Sequence, residues 1–216
     1  MLELRGIGYH PATAGVPVLQ DVGLRLERGA PGLVAGRSGS GKSTLLDIIA
    51  GLAHQDRGEI LWQGQATTPR ERRWLCGLVF QFPERHFLGL SVGQELRLGH
   101  RRLPTEQLQG ALDRVGLGGL PLQQPPEQLS GGQQRRLALA VQLLRDPPVL
   151  LLDEPTAGLD WSVRRELIEL LKTLAQDRLL LLVTHDPDCF DAMVSQRWRL
   201  QGGRCVRFDE PLPDHA

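Results

Sequence analysis

Lysine is nearly absent from this chain of 216 residues: only Lys42 and Lys172 occur, and every other Lys/Arg position is arginine. Each lysine can therefore be asked what it is for. Acidic and basic residues balance at 25 each, which argues against a protein built to coat nucleic acid or an anionic membrane. Cysteine is scarce as well. Cys76, Cys189 and Cys205 stand far apart, with no CxxC or Cys/His spacing. Neither a zinc site nor a disulfide framework is expected, and a reduced cytosolic compartment is the default. Long hydrophobic runs are lacking. Stretches such as Val149 to Leu152 and Leu179 to Val183 fall far short of the ~20 residues that span a bilayer. Met1 to Arg5 has no basic-then-apolar signal profile. A soluble chain is expected, one that reaches a membrane only through a partner. With 41% hydrophobic and 23% charged residues, the composition is that of an ordinary globular domain.

Loose alternation predicts N-terminal antiparallel strands at Leu2 to Tyr9 and Gln20 to Leu26. Gly32 to Ala35 reads as a short buried strand, followed by a glycine-rich turn and a helix from Lys42 to Ala50. Strands are expected at Gly58 to Trp62 and Leu75 to Phe80, and the charge run Arg70 to Arg73 between them as a solvated loop. Leucine spacing predicts helices at Ser91 to Leu98, Thr105 to Val115 and about Ser130 to Arg145. Then come strand Val149 to Leu152, helix Ser162 to Ala175, strand Leu179 to Val183 and two terminal strands around Trp198 and Val206. Alternating strands and helices imply a parallel sheet. The fold class is α/β, a mostly parallel core sheet with an N-terminal antiparallel β subdomain and an inserted α-helical subdomain. Residues 1–216 are expected to form one domain: 1–88 and 146–209 the core, 89–145 the helical part, 210–216 a frayed tail.

Gly36-Arg37-Ser38-Gly39-Ser40-Gly41-Lys42-Ser43, with Thr44 next, matches the GxxxxGK[ST] phosphate loop between a strand and a helix. Backbone N–H groups there turn toward phosphate oxygens, and the helix dipole adds positive potential. Lys42 would neutralise the β- and γ-phosphates of a bound nucleotide, and the Ser43 hydroxyl would ligate Mg²⁺. One of the two lysines thus falls on the one position where the motif demands it. A second half-site follows. Val149 to Leu152 ends in Asp153 and Glu154, placing two carboxylates at the carboxyl end of a buried strand, where parallel sheets bind ligands. Asp153 suits the metal, and Glu154 suits the deprotonation of an attacking water.

Leu129-Ser130-Gly131-Gly132-Gln133 forms a Ser-x-x-Gln capping box at a helix start, with free backbone donors: a second anion site. One nucleotide does not need two such sites from one subunit. The sequence resembles the LSGGQ signature of ABC-type ATPases, and the resemblance runs through nearly the whole chain. It implies the P-loop NTPase fold with a RecA-like core. It also implies two subunits paired head to tail, with ATP between the phosphate loop of one and Ser130, Gly131, Gly132 and Gln133 of the other. It places Tyr9 for stacking on adenine and Gln81 for sensing Mg²⁺ and the attacking water. His185 becomes the switch that contacts the γ-phosphate. Asp160 lies in the loop that crosses the dimer interface, where it also stands to cap the next helix.

Gly77 to Phe87, with Pro83-Glu84 inside it, resembles more narrowly the ATPases of energy-coupling factor transporters and cobalt importers, which take up vitamins and transition-metal ions. That implies a transmembrane partner, with Glu84 placed to receive one of its arginines. ATPases of that group often carry a C-terminal extension, and this chain ends soon after Val206, which points to a neighbouring branch. The expected protein is a transporter motor, cytoplasmic and peripheral on the membrane, with a homo- or heterodimeric partner and no nucleic acid. A non-transport ABC ATPase, acting in cofactor assembly or another role, is the alternative. A coiled-coil chromosome-maintenance ATPase is set aside, because no sustained heptads lie between Lys42 and Ser130.

Overall fold

The alternation of apolar residues at the N-terminus is realised as a sheet. In the computed structural model, which describes residues 1–208, the elements run β1 (Leu2–Tyr9), β2 (Leu19–Leu26), β3 (Gly32–Ala35), α1 (Lys42–Ile49), β4 (Arg57–Trp62), β5 (Gln65–Ala66), α2 (Pro69–Leu75) and β6 (Cys76–Val79). They continue with α3 (Val92–Arg97), α4 (Thr105–Arg114), α5 (Gly131–Leu144), β7 (Val149–Asp153), α6 (Trp161–Asp177), β8 (Leu179–Thr184), β9 (Gln196–Gln201) and β10 (Arg204–Arg207). The tail expected at 210–216 lies outside the described residues.

Two sheets result. One is antiparallel, in the order β2-β1-β4-β5; the other runs β10-β9-β3-β8-β7-β6. In the second sheet β9, β3, β8, β7 and β6 are parallel, and β10 joins antiparallel. Strands β7 and β8 are apolar at every position but their last residues, Asp153 and Thr184, because both faces are covered. Val149, Leu151, Leu179, Leu181 and Val183 face one core, where they meet Leu45, Leu46, Ile48 and Ile49 of α1 and the inner side of the antiparallel sheet. Leu150, Leu152, Leu180 and Leu182 face a second core with the apolar sides of α5 and α6. The period-two alternation of a strand thus divides one row of leucines between two cores.

The helical layer is built by local signals. Ser91 accepts from Gln94 N at 3.3 Å and starts α3. On α4, Leu108, Ala111 and Leu112 recur at helical spacing and are buried. No strand occurs between β6 and β7 among the described residues, as expected of a helical insertion.

The charge run at 70–73 is not a solvated loop. It lies within α2, which Pro69 opens and a Thr68/Glu71 capping box starts. Arg72 is fully buried. Its guanidinium donates to Ile48 O at 3.2 Å, Thr67 O at 2.8 Å and Gln55 Oε1 at 3.1 Å. A buried charge is tolerated when its donors are occupied, and here they hold the carboxyl-terminal end of α1. Arg73 adds a bond to Gly51 O at 2.9 Å.

Candidate active site

Because β3, β8, β7 and β6 are parallel neighbours, their carboxyl ends share one edge. The phosphate loop leaves β3 there, Asp153 closes β7, Thr184 closes β8, and Gln81 follows β6 by two residues. Within the loop, Gly36 N donates to Thr184 O at 3.1 Å. A Cβ at Gly36 would lie 2.6 Å from Ser40 Oγ and 2.7 Å from Leu200 O, so no side chain fits. Gly41, at φ 100°, caps α1 with no side-chain hydrogen bond, which leaves the first-turn amides to a ligand or water. Ser40 Oγ is buried with no hydrogen-bond partner among the described residues. Arg37, Ser38, Gly39 and Ser43 are exposed, and Thr44 is half-buried.

Lys42 is buried at 6% exposure. Its amine donates to Gly36 O at 2.7 Å and Arg37 O at 3.2 Å, and lies 3.4 Å from Glu154 Oε1. The other carboxylate oxygen of Glu154 accepts from Thr184 Oγ1 at 2.9 Å and His185 N at 3.2 Å. It also lies 2.9 Å from His185 Nδ1. Asp186 N in turn donates to Thr184 Oγ1 at 3.0 Å, leaving that hydroxyl its proton for Glu154. Burial pushes the Asp153 carboxyl above its ordinary range, the Ser43 hydroxyl bond opposes this, and the Glu154 charge adds to the rise. Burial, then the Asp153 charge, raises Asp47 likewise. The Lys42 charge works against that rise at Asp153.

The first turn of α5 carries the segment expected to form a second anion site. Gln133 N donates to Ser130 Oγ at 3.3 Å and Ser130 N to Gln133 Oε1 at 2.9 Å, the capping box read from sequence. Ser130 and Gly131 are exposed. A Cβ at Gly132 would meet Val163 Cγ1 at 2.5 Å, so glycine lets α5 close on α6. Ser130 and Gln133 bond to each other, not to the phosphate loop of their own chain. Asp160 stands at the N-cap position of α6, but its side chain makes no capping bond; only its carbonyl accepts, from Arg164 N at 2.9 Å. Tyr9 ends β1 opposite Leu19 and packs half-buried against the core beside α1. Leu19 reaches toward Gly41, so Tyr9 lies one strand away from the loop.

A sequence profile of the ABC transporter family matches residues 19–157. The chain belongs to the ABC transporter family of ATPases. Among its relatives is the chloroplastic ABC transporter I family member 11 of Arabidopsis thaliana, 39% identical over 97% of this chain and 81% of the relative. Another is the energy-coupling factor transporter ATP-binding protein EcfA1 of Mycoplasma mobile, 32% identical over 98% of this chain and 81% of the relative. Among solved structures, cbiO1 of Clostridium perfringens, part of the transporter complex cbiONQ, superposes with a TM-score of 0.83 at 29% identity, covering 95% of this chain and 86% of that one. A dimeric ATP-binding cassette in a post-hydrolysis state with ADP and Pi also gives 0.83, at 27% identity, covering 96% and 97%. As an ABC ATPase, the chain binds and hydrolyses ATP, and its fold is the P-loop NTPase fold of that family.

Two residues of the site escape a reading of sequence motifs. Thr184 is a buried polar side chain at the end of a leucine strand, and that exception to the pattern is the signal that could have found it. Arg135 is hidden among the arginines after the signature and carried no signal of its own.

Proposed function

We propose that this ABC ATPase is the motor subunit of a membrane importer of the energy-coupling factor kind, taking up a vitamin or metal ion. It works with a second ATPase subunit and a transmembrane partner. Two observations support the motor role together: a phosphate loop whose lysine is held within 3.4 Å of a buried glutamate, and a capped, exposed start of α5 that bonds to no part of that loop. The second site fits a nucleotide held by the other subunit. The transport reading leans on relatives that are named as transporter subunits. Among the described residues no helix is long and apolar enough to cross a membrane, which fits a peripheral place on the inner face, reached through the partner. We divide the chain as one cassette, with 89–145 as the part that bears the signature.

In this reading the amides of residues 36–44 and the Lys42 amine bind the phosphates, and Ser40 Oγ gains the partner it lacks. Mg²⁺ accompanies the nucleotide. Ser43, Asp153 and Gln81 would hold it, and it would neutralise phosphate charge. The Ser43 hydroxyl would contribute one oxygen and the Asp153 carboxylate another. ATP draws Lys42 away from Glu154. Glu154, oriented by Thr184 and His185, accepts the proton of the attacking water, and His185 turns toward the γ-phosphate. Tyr9 stacks on the adenine. Ser130, Gly131, Gly132, Gln133 and Asp160 serve the partner's nucleotide, so catalysis waits for closure.

Affinity purification from native membranes tests the transport reading. A transmembrane subunit and an ATPase chain are expected to co-purify in stoichiometric amounts. Recovery without any membrane protein would point to the non-transport role.

A further inference from the structure

Arg135 lies on α5, five residues beyond Ser130, at 7% exposure. Among the described residues it makes no ion pair. Its guanidinium instead grips two backbone carbonyls of the turn after β7: Nη1 donates to Glu154 O at 2.9 Å, and Nη2 to Ala157 O at 2.5 Å. The charges of Glu84 and Glu154 act on it across space.

The residue it grips is strained. Glu154 has φ 46°, in the left-handed region that costs a non-glycine residue roughly 1–2 kcal/mol and persists only where the surroundings impose it. The turn is held at each end. Glu154 N donates to Val183 O at 2.9 Å, and Glu154 O accepts from Ala157 N at 3.1 Å as well as from Arg135. This backbone twist accompanies a side chain that reaches Lys42, Thr184 and His185 at once. A guanidinium fork can span two carbonyls in fixed geometry; an ammonium cannot.

We infer that Arg135 is a positioning residue for ATP hydrolysis: it holds the strained Glu154 peptide and ties the aim of that carboxylate to the placement of the signature helix. The same helix thereby serves two nucleotides. Its first turn faces the one bound by the partner subunit, and its second turn steadies the acid that acts on its own. The inference rests on the reading of Glu154 as general base.

The test compares Arg135→Ala, Arg135→Gln and Arg135→Lys in the purified complex, with melting temperatures to establish folding. A misplacement of about 1 Å can cost ~10²-fold in rate, so kcat is expected to fall about that much in the alanine and glutamine variants. The KM for ATP should stay within about threefold, and lysine should recover part of the rate. A role confined to holding α5 in place would instead spoil the signature. Glu154→Gln combined with Arg135→Gln is therefore expected to retain ATP after gel filtration, as Glu154→Gln alone does. Should Arg135→Ala not fold, Arg135→Gln carries the comparison. Wild-type kcat in the folded Arg135 variants, or loss of ATP retention in the double variant, overturns the inference. Wild-type turnover by Glu154→Gln alone overturns the general-base reading, and the inference with it.

Discussion

Lys42 Nζ and Glu154 Oε1 stand 3.4 Å apart, each side chain 7% exposed. Without a phosphate nearby, the amine and the carboxylate neutralise each other in a buried place, where a lone charge would be costly. In the proposed reading, ATP would exchange one anionic partner of Lys42 for another. Removing either member should therefore have opposite effects on nucleotide. Lys42→Ala is expected to weaken ATP binding about tenfold or more, from the ~1.5–3 kcal/mol of one charged hydrogen bond. Glu154→Gln is expected to keep ATP, trap a nucleotide-bound dimer and lose turnover by ~10²–10⁴-fold. Equilibrium binding and steady-state hydrolysis read both, and equal ATP affinity in wild type and Lys42→Ala would count against the cradle.

Ser130 has a local duty and a proposed remote one, and they can be separated. Ser130→Ala removes the cap of α5, at a cost of about 1 kcal/mol in stability. Ser130→Asp keeps an equally good cap but puts a negative charge where the partner's γ-phosphate would sit. The aspartate variant should melt close to wild type and hydrolyse ATP ~10²-fold more slowly. Full activity in Ser130→Asp would mean that the first turn of α5 faces no phosphate.

Asp153 gives a pH-dependent prediction. Its carboxyl titrates above the ordinary value of 3.8, chiefly through burial. A carboxyl raised on folding lowers stability as pH rises from its unfolded pKa to its folded one, and the full cost remains above both. Asp153→Asn removes that cost. The nucleotide-free variant is expected to melt above wild type at pH 8, with the difference fading as pH falls toward 3.8, while Mg²⁺-dependent hydrolysis falls by ~10²-fold or more. Thermal denaturation at the two pH values decides it. A lower melting temperature at pH 8 would show that the charge on Asp153 stabilises the empty site.

Around the turn Pro83–His86, Leu88 is 80% exposed, Leu90 79% and Phe82 40%, with Glu84 exposed among them. Apolar groups clustered near a loop acid fit a docking face for an arginine-bearing helix. Leu88→Ser with Leu90→Ser, and separately Glu84→Arg, should reduce recovery of the membrane subunit at least several-fold in co-purification, while the chain still binds ATP. Undiminished recovery in both would place the membrane contact elsewhere.

Much of the fold was legible because its signals are local. Strand alternation, Ser130 as a cap, and the leucine spacing of α3 and α4 each act within a few residues. The phosphate loop and the two carboxylates were legible as motifs, and the structure brings them to one sheet edge. What sequence hid is the long-range compensation of arginine. Arg72 reads as part of a solvated run because its partners, Ile48 O and Gln55 Oε1, are 24 and 17 residues away. Arg135 binds carbonyls 19 and 22 residues on. Most of these acceptors are backbone carbonyls, which have no letter in a sequence, and all but Thr67 O lie 17 or more residues away. Lys172, for which sequence offered no role, sits 2.8 Å from Glu169 Oε1 on α6, a surface pair of small energetic weight. Asp160 shows the converse error: the right residue type at a helix start, with its side chain turned elsewhere.

The row of leucines shared between two cores has a mechanical meaning. The phosphate-loop helix is bedded on one side of the parallel sheet, clasped at its far end by Arg72, and the signature helix is bedded on the other. The helical layer and the nucleotide's proposed seat therefore rest on opposite faces of the same strands. Load on that layer has a short route to the reacting atoms through the end of β7, where Arg135 is fastened.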